Sequence, residues 1–186
     1  MPMLLSSSSS FSSSRPSTPR TRPLRPARKV AIKVINLEAQ EDGMEEIQRE
    51  IDVLSHCHCP QLTRYFGSYV VEHSLWIVME YLEGGSLGEL LTYTPQGRLD
   101  EIAIASAMNQ LCQALAYLHG ERKIHRDVKA KNVLVSSTGQ VKLADFGVTA
   151  SLTETMGKRQ TFAGTPFWMA PEVITQTSYD VKADVW

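Results

Sequence analysis

The stretch "HRDVKAKN" (residues 125–132) sets an acid at Asp127, a cation at Lys129 and an amide at Asn132 in one short polar loop. Before it, Ile104, Met108, Leu111, Leu115 and Leu118 recur every 4, 3, 4 and 3 positions. That spacing predicts one buried helical stripe, with Asp100 placed to cap the helix. After the loop come two β-branched runs, "NVLV" and "QVKLA", which predict short strands. A polar loop clamped between a buried helix and a strand is not an ordinary solvated turn, and its charged groups are candidates for chemistry.

Towards the N-terminus, "KVAIKVINL" predicts a strand and "GMEEIQREIDVLSHC" an amphipathic helix, with Ile47, Ile51 and Leu54 on one face. "LTRYFGSYVV" and "SLWIVMEYL" add two more strands. "GGS" (residues 84–86) then breaks the pattern before a short helical piece, "SLGELL". The fold class implied is α+β: a small sheet-plus-helix lobe, a linker, then a helical lobe. The body runs over residues 29–186, divided at 82/83. Residues 1–28 read as a disordered Ser/Pro/Arg-rich arm, because they lack the apolar residues that would offset the entropy of ordering.

The chain has 186 residues, 42% of them hydrophobic, which suffices for one ordinary core. Net charge is −1, so no overall field points to nucleic acid. Residues 1–37 hold seven Lys/Arg and no acid, whereas the remainder is acidic. A Ser- and Arg-rich start also fits a transit peptide, but the compositional reading of a basic tail is preferred. No apolar run reaches the roughly 20 residues of a membrane span. "HCHCP" (residues 56–60) has metal-ligand residue types, yet it lacks a second ligand pair and the usual two- to four-residue Cys spacing. Packing at a helix end is the expectation there. Three cysteines and no secretion signal point to a cytoplasmic setting.

Four motifs in order, "VAIK", "HRDVKAKN", "DFG" and "APE", resemble the protein-kinase signature set. The resemblance covers about residues 29–186 and implies a two-lobed kinase-like fold, ATP and Mg²⁺ as cofactors, and protein substrates. It implies that Lys33 reaches the α- and β-phosphates and is held by Glu50, with Glu46 one turn earlier as the fallback. Asp127 would take or orient the proton of the acceptor hydroxyl, and Lys129 would neutralise the transferring phosphate. Asn132 and Asp145 supply hard oxygen ligands of the kind Mg²⁺ takes. Lys129 in this loop resembles the serine/threonine form.

By the same resemblance Met79 is the gatekeeper, and Glu80, Tyr81 and Leu82 form the hinge that faces the adenine edge. Ala31 and Leu134 would sandwich the adenine ring. Leu54, Tyr65, His125 and Phe146 match a hydrophobic column between the lobes. Thr161 sits where an activating phosphate is carried, with Arg126 as its partner. Thr165 is expected to contact Asp127 and Lys129.

"GTPFWMAPEVI", "LWIVMEYLEGGS" and "YDVKADVW" further resemble the germinal-centre kinases, stress and polarity signalling enzymes, and their third subgroup most. Adaptor binding in that subgroup uses a tail not found in this chain. The family's glycine-rich loop should precede Val30, yet residues 1–28 contain no glycine, and the chain stops at Trp186. The expectation is a catalytic domain truncated at both ends, weakly active or inactive as it stands. The alternative is a non-catalytic kinase-like binding module.

Overall fold

A computed structural model describes residues 27–38, 44–145, 150–151 and 164–186, without the side chains of 44–46, 49, 50, 150 and 151. β1 (Val30–Asn36), β2 (Tyr65–Val71) and β3 (Ser74–Glu80) form an antiparallel sheet of order β1-β3-β2. In β1 the pleat turns Ala31, Lys33 and Ile35 inward, whereas Val30, Ile32 and Val34 stay exposed. Its register sets Ala31 opposite Met79 and Lys33 opposite Ile77. Central strand β3 buries Leu75 and Ile77.

Helix α1 (Met44–His56) brings Ile47, Val53 and Leu54 into the same core, with Ile51 packed beside them. Each fully buried aliphatic side chain of this kind contributes about 1.5–3 kcal/mol. Cys57 and Cys59, just past the helix end, also pack against this core. Burial pushes the Cys57 thiol up.

Beyond β3 the chain must come very close to β5 (Val133–Val135). Gly84 N–H donates to Val135 O at 2.9 Å, and Val135 N–H donates to Gly85 O at 2.8 Å. A Cβ on Gly84 would lie 2.7 Å from Val135 O, and Gly85 has φ +70°, so the glycine pair is required by space and by backbone. Ser86 then caps α2 (Leu87–Tyr93) in a reciprocal capping box with Glu89.

Helix α3 (Glu101–Gly120) starts as expected, with the Asp100 side chain accepting from Ala103 N–H at 2.7 Å. Its buried stripe differs from the expectation. Ala107, Leu111, Ala114 and Leu118 are inside, while Ile104 and Met108 are about half exposed. The contact face needs small residues where α3 approaches its neighbours closely, so two alanines take it and the larger Ile104 and Met108 turn aside. This face completes a core that continues through Leu62, Val133, Val141 and Leu143.

β4 (Lys123–Ile124) pairs with β7 (Ala150–Ser151), and β5 pairs with β6 (Val141–Leu143). A second small cluster, Met169, Ala170 and Val173 around α4 (Pro171–Ile174), carries the last described segment. No helix among the described residues is long and apolar enough to cross a membrane.

Candidate active site

The loop of residues 125–132 joins β4 to β5, and its first turn is anchored from 58 residues away. The Asp184 carboxylate, wholly buried, accepts the His125 N–H at 2.8 Å and the Arg126 N–H at 2.7 Å. His119, at the end of α3, meets the same carboxylate at 2.8 Å. Arg126 adopts φ +70°, a left-handed conformation that non-glycine residues rarely take and that the two Asp184 bonds help to hold. Its guanidinium also donates to the Tyr179 hydroxyl at 3.3 Å.

His125 is fully buried and orders the loop from inside. Its Nδ1 accepts the Asp127 N–H at 3.3 Å, so Nε2 carries the proton and donates to Ala144 O at 3.1 Å. Burial pushes its imidazole below its ordinary value, against the pull of Asp184, the Ala144 carbonyl and Asp127. The neutral tautomer thus ties the Asp127 backbone to the strand end that leads into Asp145.

Asp127 lies at the convergence. Its Oδ2 accepts from Lys129 Nζ at 2.6 Å and from Asn132 Nδ2 at 2.9 Å. Its Oδ1 accepts the Thr165 N–H at 3.0 Å and the Thr165 hydroxyl at 2.7 Å. Lys129 Nζ also donates to Thr165 Oγ1. Burial pushes the Asp127 carboxyl up, but the hydrogen bonds from Lys129, Thr165 and Asn132 outweigh it and hold the group below its ordinary value. It is an ionised carboxylate at neutral pH.

Asn132 donates a second time, to Asp127 O at 2.8 Å. Both donations use its amide nitrogen, and among the described residues no donor meets the side-chain oxygen, which has lone pairs suited to a cation. Asp145, half exposed at φ +64°, accepts from Lys33 Nζ at 3.1 Å. An amide oxygen and a carboxylate are hard donors suited to Mg²⁺, which takes one or two protein ligands and completes its shell with phosphate and water. The residues present therefore fit that ion.

The structure joins Asp127, Lys129, Asn132 and Thr165 in one hydrogen-bonded cluster and pairs Lys33 with Asp145. The Ala144 N–H, donating to Asn132 O at 2.8 Å, ties the strand end before Asp145 to the cluster. Ala31 and Met79 face one another across β1 and β3, and Leu134 sits on β5 bridged to Ser86. Leu82 is buried at the linker. Glu80 closes β3: burial pushes its carboxyl up, but hydrogen bonds from Lys142 and the Arg64 N–H outweigh this and hold it below its ordinary value. Leu54 and Tyr65 belong to the core, and His125 lies beneath the loop. Thr161 and Phe146 fall outside the described residues, as do the side chains of Glu50 and Glu46.

Sequence reasoning missed His119, Lys142 and Tyr179 as partners of this site. Each acts across a long separation, and nothing in its immediate sequence marks it out.

The protein kinase domain family matches residues 21–186. Over 167 residues the chain is 51% identical to "Serine/threonine-protein kinase 1" of Arabidopsis thaliana, covering 90% of this chain and 20% of that protein. It is 50% identical over 158 residues to "Serine/threonine-protein kinase sid1" of Schizosaccharomyces pombe, covering 84% of this chain and 33% of the relative. It is 47% identical over 157 residues to "Serine/threonine-protein kinase hippo" of Drosophila melanogaster, covering 84% and 23%. The chain thus spans about a fifth to a third of the length of these curated relatives.

Proposed function

The chain belongs to the protein kinase domain family, and from that premise we propose that it transfers the γ-phosphoryl group of ATP to serine or threonine hydroxyls of protein substrates. The observation that carries this reading is the four-fold coordination of Asp127 by Thr165, Lys129 and Asn132. When bound, the nucleotide with Mg²⁺ supplies the transferable group and neutralises charge on it.

The residues divide the remaining work. Lys33 is a point charge for the phosphates, kept beside Asp145 at 3.1 Å. Asn132 and Asp145 hold the metal ion through oxygen. Lys129 sits 2.6 Å from Asp127, so one cation serves both the carboxylate and the incoming phosphoryl oxygens.

Asp127 is too weak a base to strip an alcohol early, since its hydrogen bonds favour the ionised form. It orients the acceptor hydroxyl and takes the proton late, when the transferring group has made that hydroxyl acidic. Ala31, Leu134, Met79 and the Glu80–Leu82 hinge hold the adenine. Thr161 is the activating phosphosite, with Arg126 as its basic partner, and Glu50 is the acid that steadies Lys33.

We further propose that it acts in stress and polarity signalling in the cytoplasm and binds an adaptor protein, a reading supported by the resemblance of "GTPFWMAPEVI" and "LWIVMEYLEGGS" to the germinal-centre kinases. The test is a transfer assay with labelled ATP and Mg²⁺ on equal pools of serine-, threonine- and tyrosine-containing peptides. Label on serine and threonine alone is expected. Label on tyrosine would overturn the substrate class. ATP binding with no transfer to any pool would overturn transfer by this chain and leave nucleotide binding as its activity.

A further inference from the structure

We propose that Lys142 is a positioning residue for the nucleotide, acting through its ion pair with Glu80, and this rests on the nucleotide-binding reading above. Lys142 Nζ lies 2.8 Å from Glu80 Oε2, and both side chains are four-fifths or more buried. The pair crosses the junction between the halves, since Glu80 ends the sheet's central strand and Lys142 lies on β6.

Three chain segments converge on this pair. Glu80 Oε2 also accepts the Arg64 N–H at 3.2 Å, and the Glu80 N–H returns a bond to Arg64 O at 2.8 Å. Leu143, next to Lys142, donates to Gln61 O at 2.8 Å and accepts from Thr63 N–H at 3.0 Å. Residues 61–64, the end of β3 and strand β6 are thereby locked into one polar unit.

That unit connects the groups assigned to the two ends of the nucleotide. Lys142 stands opposite Leu134 in the β5–β6 register, and Asp145 follows three residues later. On the other side, Glu80 leads directly into Leu82. A largely buried ion pair costs desolvation and is a poor way to gain stability alone. Its placement instead fixes the distance between the adenine-facing hinge and the phosphate-facing Asp145. Removing the cation leaves the Glu80 carboxylate unpaired in a largely buried place, free to pull the hinge out of register.

The test is titration of the full chain with ATP and Mg²⁺, read by calorimetry, for the native protein, Lys142→Met and Lys142→Arg. Lys142→Met should bind about tenfold more weakly, and Lys142→Arg, which keeps the cation, should return to within about twofold of native. Glu80→Gln keeps an acceptor for the Arg64 N–H but drops the charge; it should weaken binding in the same direction and serves if Lys142→Met does not fold. Native affinity in Lys142→Met or in Glu80→Gln overturns the proposal, as does an arginine variant no better than the methionine one. Failure of the native chain to bind ATP overturns the nucleotide-binding reading itself, and the proposal with it.

Discussion

Thr165 grips Asp127 twice at one oxygen: its N–H and its hydroxyl both donate to Oδ1, at 3.0 and 2.7 Å. Two donors from a residue 38 positions away stabilise the ionised carboxylate directly. Thr165→Ala removes the hydroxyl and leaves the N–H. The Asp127 titration, followed by the carboxyl carbon resonance, should then move up towards its ordinary value of 3.8. The sign for stability follows. The native cluster contributes fully above 3.8 and loses its contribution as pH falls through the lowered folded value. An unmoved titration in the variant would mean that Thr165 is a bystander.

Asp184→Ala should be severely destabilising. It strands the His125 and Arg126 N–H groups at the base of the loop and removes the partner of His119. Unsatisfied buried donors cost about 1–3 kcal/mol each, so the two stranded N–H groups imply a loss of about 2–6 kcal/mol in urea unfolding. A loss below about 1 kcal/mol would show that water replaces the carboxylate without penalty.

Much of this architecture is legible in the sequence because it rests on local periodicity. The β1 strand, the α1 face, the Asp100 cap and the break at the glycine pair before Ser86 all follow from residue type and spacing. Which face of β1 turns inward does not, since Val30, Ile32 and Val34 are the exposed set. On α3 the periodicity weighs Ile104 and Met108 above the alanines that close packing selects, so the predicted stripe lies a fraction of a turn from the buried one. At the site, Asp127, Lys129 and Asn132 are neighbours in sequence and stand out as a motif. Their supports do not. Asp184 to His125 spans 59 residues and Lys142 to Glu80 spans 62, and neither contact leaves a local signal.

His125 makes stability depend on pH in a defined direction. Its buried imidazole has a folded value below the ordinary 6.5, so the unfolded chain binds the extra proton first as pH falls. Stability should be unaffected by this group above 6.5 and decline as pH drops below it towards the folded value. In His125→Gln that component of the decline should vanish. Identical pH profiles for the two proteins between 7 and 5 would contradict it.

Gly164 sits at φ +129°, and a Cβ there would lie 2.8 Å from Arg126 O. Gly164→Ala must push the segment carrying Thr165 away from the catalytic loop. A cost of about 1–3 kcal/mol is expected from strain at such a position, with a lowered Tm and weakened transfer. A variant with native Tm and native transfer would mean that the two segments are not held together as described.

The central claim is that Asp127 acts on the acceptor hydroxyl and not on the nucleotide. Native protein and Asp127→Asn are compared for ATP–Mg²⁺ binding and for label transfer to a serine/threonine peptide. The account predicts unchanged nucleotide affinity with transfer reduced roughly 10²- to 10⁴-fold, the range for loss of a positioned proton acceptor. Equal transfer by both proteins would contradict it.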